Sequence, residues 1–332
     1  MTTSLASLRQ TRQELVEAHK QLQELTQPRL VPERFDLDSC QALAQRAREL
    51  RDTFRAQLEE HFVPLGDGRR IFPHQLEALK EFAENNSLDV DALLPSVIIE
   101  NGRVIEADFS EMGLVTLLGL SGLESMRRLE ILENHHLTSL VGIPVREIES
   151  IDASRCGLIG DLSSLTEATR LRSLHVTENK DITSLTGIPT QEIEELWAWG
   201  CGLHGDLSAI TGCSRLVSLG VGFNRMLTSL AGIPTRELQS VYAMGCGLKG
   251  DLSAVSGAAK LRQLHISGNP EITSLAGVPL RELQELCALA CGLSGDQTFL
   301  STASKLSFLD LRSNSGISLN KRQFNSGIRI QL

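Results

Sequence analysis

Basic charge is in short supply in this 332-residue chain: 32 lysines and arginines stand against 41 aspartates and glutamates, a formal net charge of −9 at pH 7. The deficit is spread over both halves, so no basic stripe exists to neutralise phosphates, and nucleic acid is not expected as a main partner. Long apolar runs are missing too. No stretch is long enough to cross a bilayer, and the opening "MTTSLASLRQTRQELVEAH" lacks the apolar segment of a secretory signal. The expectation is a cytoplasmic protein without membrane contact, with export by a signal-less route as the alternative. No phosphate loop or recognisable metal-binding cluster occurs, so neither cofactor nor metal is expected. Aromatic residues are scarce at 4%, with two tryptophans and one tyrosine. Where those three fall is therefore informative.

What the sequence does have is repetition. "LTSLVGIP" at 137, "ITSLTGIP" at 182, "LTSLAGIP" at 227 and "ITSLAGVP" at 272 recur every 45 residues, and so do "CGLIGDL" at 156, "CGLHGDL" at 201, "CGLKGDL" at 246 and "CGLSGDQ" at 291. A fixed period marks stacked supersecondary units rather than one globular core. Each unit divides into two similar halves, exemplified by "LRSLHVTENKDI" (171–182) and "IEELWAWGCGL" (193–203), which alternate at spacings of 22 and 23 residues. Both halves fit L-x-x-L-x-L-x-x-N/C-x-L, and degenerate copies at 104 and 126 extend the array to about ten repeats.

This pattern resembles the leucine-rich repeat family over about two-thirds of the chain. The resemblance implies an α/β solenoid of horseshoe form, with parallel strands on the concave side and irregular or short helical segments on the convex side. The side chains of Asn134, Asn179, Asn224, Asn269 and Asn314 are expected to satisfy backbone groups where the chain leaves each strand. Cys156, Cys201, Cys246 and Cys291 take the equivalent place in the alternate repeats. Two strands apart, roughly 10 Å, they are too distant for disulfides or a shared zinc. A buried cysteine ladder is the expectation, which favours a reducing compartment.

The expected division is a helical N-terminal region at 1–95 and a repeat domain at 96–332. Leu15, Ala18, Leu22 and Leu25 recur at helical spacing before Pro28 and Pro32. A second stripe of Leu43, Ala47, Leu50, Phe54 and Leu58 lies on a helix from about Asp38 to Phe62, and a third helix starts near Pro73. A hairpin of these helices packing on the first repeat as a cap is preferred over a self-associating coiled coil, since roughly two heptads are few for an independent one. Oligomeric state stays open. Asn101-Gly102 signals a type I′ turn in a cap hairpin at 96–107, placing Val97–Glu100 antiparallel to the first repeat strand. The repeats then occupy 104–317, and "NSGIRIQL" supplies a closing strand in a C-terminal cap at 318–332.

Alternation sends the third, fifth and seventh repeat positions onto the open concave face. Position five reads Asp108, Glu130, Asp152, His175, Trp197, Gly220, Tyr242, His265, Cys287, Asp310. Trp199, Gly222, Met244 and Leu289 occupy position seven, and Phe223 follows Gly222. The two tryptophans and the tyrosine thus gather on three consecutive strands, the middle one with glycine at both outward positions. If the rings stand upright, Trp197 and Tyr242 flank a slot roughly 10 Å wide. The opposing reading folds the indoles over Gly220 and Gly222 as cover. An apolar patch rich in tryptophan and tyrosine favours a contact role. The expected site is Trp197, Trp199, Gly220, Gly222, Phe223, Tyr242, Met244, His175, His265 and Cys287, taking a protein or peptide. The acidic flank of Glu106, Asp108, Glu130, Glu133 and Asp152 suits a basic partner. A sugar stacked on an indole is the alternative ligand. A cysteine-dependent enzyme at Cys287 is disfavoured, because the cysteine, not His265, sits in the middle of the His265–Cys287–Asp310 row and no oxyanion donor is evident.

Overall fold

The computed structural model describes residues 7, 10–18, 42, 44–53 and 62–332. These form two compact units, Met1–Leu76 and Glu77–Leu332, so the repeat-bearing unit starts earlier than the expected division at 95/96. In the first unit, residues 10–18 and 44–53 are helical. Ala18, Ala47 and Leu50 form a small buried cluster joined by Leu15, as the two helical stripes require. Leu22, Leu25, Pro28, Pro32, Leu43, Phe54 and Leu58 lie outside the described residues. A short hairpin pairs Val63–Pro64 with Arg70–Ile71.

The helix Pro73–Asn85 carries the chain into the second unit. From Glu77 on, its Leu79, Phe82 and Ala83 are buried, and the Phe82 ring lies 5.1 Å from that of Phe109 in the first repeat. Asn86, just past the helix, accepts from Val115 N at 2.8 Å and donates to Thr116 O at 3.0 Å. These contacts give the first turn of the array an apolar cover.

A 12-stranded sheet follows. Val97–Glu100 pairs antiparallel with Arg103–Asp108, and the connecting Asn101 and Gly102 both have positive φ, 49° and 76°, as a type I′ turn demands. Ten repeat strands then run parallel, ending in Phe308–Asp310, and Arg329–Gln331 closes the edge. The inward phase is the expected one: Leu174 and Val176, Leu196 and Ala198, Leu219 and Val221 are all fully buried.

The C-G-L-x-G-D-L motif is a chain of local necessities. The cysteine thiol is buried and donates to a carbonyl of the preceding turn, Cys201 to Val176 O at 3.2 Å. At the next residue a side chain has no room, since a Cβ on Gly202 would lie 2.5 Å from Lys180 O. The leucine is buried. The aspartate then accepts from the backbone N–H two residues on, Asp206 from Ser208 at 3.0 Å, and so satisfies the first N–H of the 3-10 helix Ser208–Ile210, whose N-cap residue is Leu207. Asp161, Asp251 and Asp296 do the same for their own short helices. Along this edge exposed ion pairs join successive turns, Arg170–Glu147, Arg215–Glu192, Lys260–Glu237 and Lys305–Glu282. Being solvated, each contributes little.

The asparagine ladder has a feature the motif alone does not reveal. Asn179 accepts from Leu158 N at 3.1 Å and donates to Ala153 O at 2.9 Å and Val176 O at 2.8 Å. Val176 O also receives the Cys201 thiol. Asn134 with Cys156 share Ile131 O, Asn224 with Cys246 share Val221 O, and Asn269 with Cys291 share Ile266 O. One carbonyl per two-turn unit therefore uses both lone pairs, one for an amide and one for a thiol.

Candidate concave-face binding site

Position five forms one unbroken register row. Asp108 pairs with Glu130, Glu130 with Asp152, Asp152 with His175, and His175 with Trp197. The row continues through Gly220, Tyr242, His265, Cys287 and Asp310. The sheet thus sets six residues of the expected site, His175, Trp197, Gly220, Tyr242, His265 and Cys287, side by side in one row, and Trp199, Gly222, Phe223 and Met244 follow just past the strand ends.

The open slot is corrected by the structure. Trp197 and Tyr242 have ring centroids only 5.5 Å apart. A Cβ on Gly220 would lie 2.0 Å from Trp199 Nε1 and 2.3 Å from Trp197 Cε3. Both indoles therefore lean over the bare α-carbon, the cover that was the opposing reading. The strand spacing fixes the α-carbons, not the rings, and leaning onto a glycine removes ring surface from water. Gly222 is covered less closely, its absent Cβ facing Trp199 Cε3 at 3.4 Å and the Met244 backbone oxygen at 3.1 Å.

What results is a continuous aromatic surface. Trp197 and Trp199 lie 6.2 Å apart with planes tilted 30°, Trp199 reaches Phe223 at 5.8 Å, and Trp199 and Tyr242 are 6.2 Å apart. His175 meets Trp197 edge-on at 6.2 Å, and His265 meets Tyr242 edge-on at 4.9 Å. Such tilted and edge contacts are favourable ring geometries. Tyr242 Oη donates to Gln263 Oε1 at 2.6 Å, which also accepts from Ser240 Oγ at 3.1 Å. Gln263, at position three, is a supporting residue that sequence reasoning missed; its adjacency in register to the tyrosine strand was the available signal.

Two features of this surface oppose stability. The residue after position seven has positive φ in each repeat; it is glycine at Gly200, Gly245 and Gly268, whereas Glu111, Glu133, Arg155, Glu178, Ala290, Ser313 and Phe223, at +60°, hold it as non-glycine residues. A left-handed phenylalanine costs about 1–2 kcal/mol, and Phe223 is 58% exposed, so burial offsets little of that. It stands beside a shallow cleft of about 430 Å³ bordered by Gly245, Gly247 and Gly268. Trp199 Nε1 is the second feature: it is buried with no hydrogen-bond acceptor.

The histidines and the cysteine occupy the flanks. His175 Nδ1 lies 3.4 Å from Asp152 Oδ2. Burial pulls the Asp152 pKa upward, but hydrogen bonds from His175 and Ser154 outweigh it and leave the carboxyl below its ordinary value. His265 Nε2 lies 3.4 Å from Glu285 Oε2, yet without the alignment of a hydrogen bond. Cys287 is half-buried. Burial, then the nearby Asp310 and Glu285, push its thiol up to about 11, which keeps it protonated at neutral pH. Arg312 grips Asp310 through Nε at 3.0 Å and Nη2 at 2.7 Å, and this hydrogen bonding holds the Asp310 carboxyl below its usual range. Among the described residues no group of three or more His, Cys, Asp or Glu side chains is arranged to hold a metal ion.

No family model and no curated protein matches the sequence. Solved structures do. An internalin, inlF from Listeria monocytogenes, superposes with a TM-score of 0.58 at 20% identity, covering 70% of this chain and 67% of its own. The functional domain of InlJ from Listeria monocytogenes, described as including a cysteine ladder, gives 0.54 at 20% identity, covering 63% of this chain. This chain spans 44% of that one. At such identity the likeness concerns architecture. The repeat motif, the unbroken register of parallel strands and these neighbours together make the chain a leucine-rich-repeat solenoid.

Proposed function

We propose that this protein is a non-enzymatic scaffold that binds a protein or peptide segment on the concave face, with Trp197, Trp199, Phe223 and Tyr242 as the anchor surface. One observation carries the reading: on the open face Trp197, Trp199, Tyr242 and Phe223 form one contiguous aromatic patch, in which Phe223 is 58% exposed. Exposed rings of this kind do not help the solenoid fold, and they suit a partner that covers Phe223 and the indole faces. The solenoid neighbours support a binding scaffold in general terms. A sugar stacked on one flat indole is less well served, because the indoles are tilted against each other and lie down on Gly220. A thiol-dependent reaction is also poorly supported, with Cys287 protonated, Asp310 committed to Arg312 and the His265 ring turned edge-on to Tyr242.

Both tryptophans of the chain belong to the patch, so intrinsic fluorescence reports on this site alone. Proteins retained by the wild type on a column should be measured for affinity against Trp197→Ala and Gly220→Ala. Truncating an anchor tryptophan is expected to weaken binding by about 2 kcal/mol, some thirtyfold. Gly220→Ala must displace both indoles and should change the emission spectrum and the affinity together. Melting should fall less for either variant than for Leu196→Ala, which opens a core cavity worth about 2–5 kcal/mol. Retained proteins that bind all three forms equally would sink the proposal.

A further inference from the structure

The position-five row is polarised. At its start Asp108, Glu130 and Asp152 occupy adjacent strands in register. Like charges placed side by side across a sheet are destabilising. Cations are at hand on the same strands, but they are used elsewhere: Arg128 faces Glu106 at 3.9 Å, and Arg155 takes Glu133 at 2.9 Å and Glu178 at 3.4 Å. Among the described residues none of the three row carboxylates meets a lysine or arginine. Asp108 accepts only from Ser110 N at 3.1 Å, and Asp152 from Ser154 N and His175. At the far end the opposite holds. Asp310 is clasped by Arg312, and Arg329 lies over the Phe308 ring at 5.6 Å.

Resting on the binding reading above, we infer that the partner segment is extended and cationic, lies across the strands, and places a large apolar or aromatic residue on the Trp197–Tyr242 surface with its lysines or arginines toward the first repeats. The row runs from aromatic to acidic without a gap, His175 being the joint between Trp197 and Asp152. Strand spacing sets the register of the ligand. Asp152, Glu130 and Asp108 lie about 10, 14 and 19 Å from Trp197 along the row, and an extended peptide advances about 3.3 Å per residue. Basic residues therefore belong about three to six positions from the anchor, on one side of it only. The carboxylate row, left without arginine, attracts this end and repels a phosphate backbone.

The probe is a random linear peptide library displayed on phage, selected in parallel on the wild type, Trp197→Ala and the triple variant Asp108→Asn, Glu130→Gln, Asp152→Asn. Selected peptides are then measured by tryptophan fluorescence at low and high salt. The expected wild-type set carries an apolar or aromatic anchor with lysine or arginine three to six positions to one side. Its affinity should drop about threefold to tenfold on the triple variant and fall with added salt, and both effects should vanish for peptides whose basic residues are replaced by glutamine. Sets that depend on Trp197 but show no basic bias, or that bind the triple variant equally, overturn this inference and leave the aromatic site standing. No set dependent on Trp197 overturns both. The amide side chains keep the shape of the row and the acceptor for Ser154 N, so the triple variant should still melt in one cooperative step, and its melting curve separates a loss of binding from a loss of fold.

Discussion

Asn224→Ala is expected to destabilise the repeat unit by about 4 kcal/mol, while the neighbouring surface substitution Arg225→Ala stays within about half a kcal/mol. The asparagine is fully buried. Its Oδ1 is the acceptor for Leu203 N at 3.2 Å, and its Nδ2 donates to Ala198 O at 2.8 Å and Val221 O at 2.7 Å. Val221 O keeps the Cys246 thiol after truncation. Leu203 N and Ala198 O keep nothing, and each orphaned buried group costs about 1–3 kcal/mol. Chemical denaturation of both variants is the measurement. An Asn224→Ala loss under about 1 kcal/mol would mean that water enters the ladder and replaces the amide.

Raising the pH should unfold this protein through its thiols. Burial, the largest influence, pushes Cys156 and Cys246 up to about 11 and Cys201 to about 12, and raises Cys291, from an ordinary 9.0. The direction of the linkage follows. Below pH 9 these thiols are protonated whether the chain is folded or not, and their stabilising contribution is complete. Between pH 9 and their folded values only the unfolded chain releases the protons, so stability drains away, by on the order of 2 kcal/mol at pH 11 for each of Cys156, Cys201 and Cys246. Melting temperature measured from pH 7 to pH 11 should fall steeply above pH 9. A variant with serine at all four ladder positions keeps a donor that does not ionise in this range, and should show a much shallower decline even if it starts lower. Parallel curves for the two proteins would refute the linkage. The same burial keeps these thiols reduced and unreactive in any compartment, so the ladder is no guide to where the protein resides.

Period and register were legible in the sequence because a strand one residue out of phase would expose its leucines, and every copy agrees. That is why the position-five row, from Asp108 to Asp310, could be written down before any coordinate was known. The hairpin at Asn101-Gly102 was equally readable, since both turn residues accept positive φ. The ring positions were not. A motif places α-carbons, whereas the lean of Trp197 and Trp199 over Gly220 depends on which neighbouring hole is empty. Phe223 was named in the sequence, but its strained backbone was hidden by a motif that leaves that position unspecified. The hairpin from Val63 to Ile71 has strands of two residues each, too short to carry an alternating pattern, and Asp67-Gly68 at its turn is its one signal in the sequence.

The shared carbonyls make the two kinds of turn complementary neighbours. A cysteine turn leaves its leucine N–H to the asparagine of the following turn, Leu158 to Asn179 and Leu203 to Asn224, whereas an asparagine turn closes on itself, Leu137 N to Asn134 O and Leu227 N to Asn224 O. Remove one turn and two of a kind become adjacent, leaving either an amide oxygen with no donor or an N–H with no acceptor. The glycine after each cysteine tightens this dependence, since a Cβ there would strike a carbonyl belonging to the asparagine turn beneath, His135 O under Gly157 and Pro270 O under Gly292. The array therefore has a grammar: its word is the pair of turns, and lengthening or shortening it by 45 residues keeps every shared carbonyl in its alternation, whereas a step of 22 or 23 does not. Excising 182–226 should yield a shorter solenoid that still melts in one cooperative step, and excising 182–203 should not.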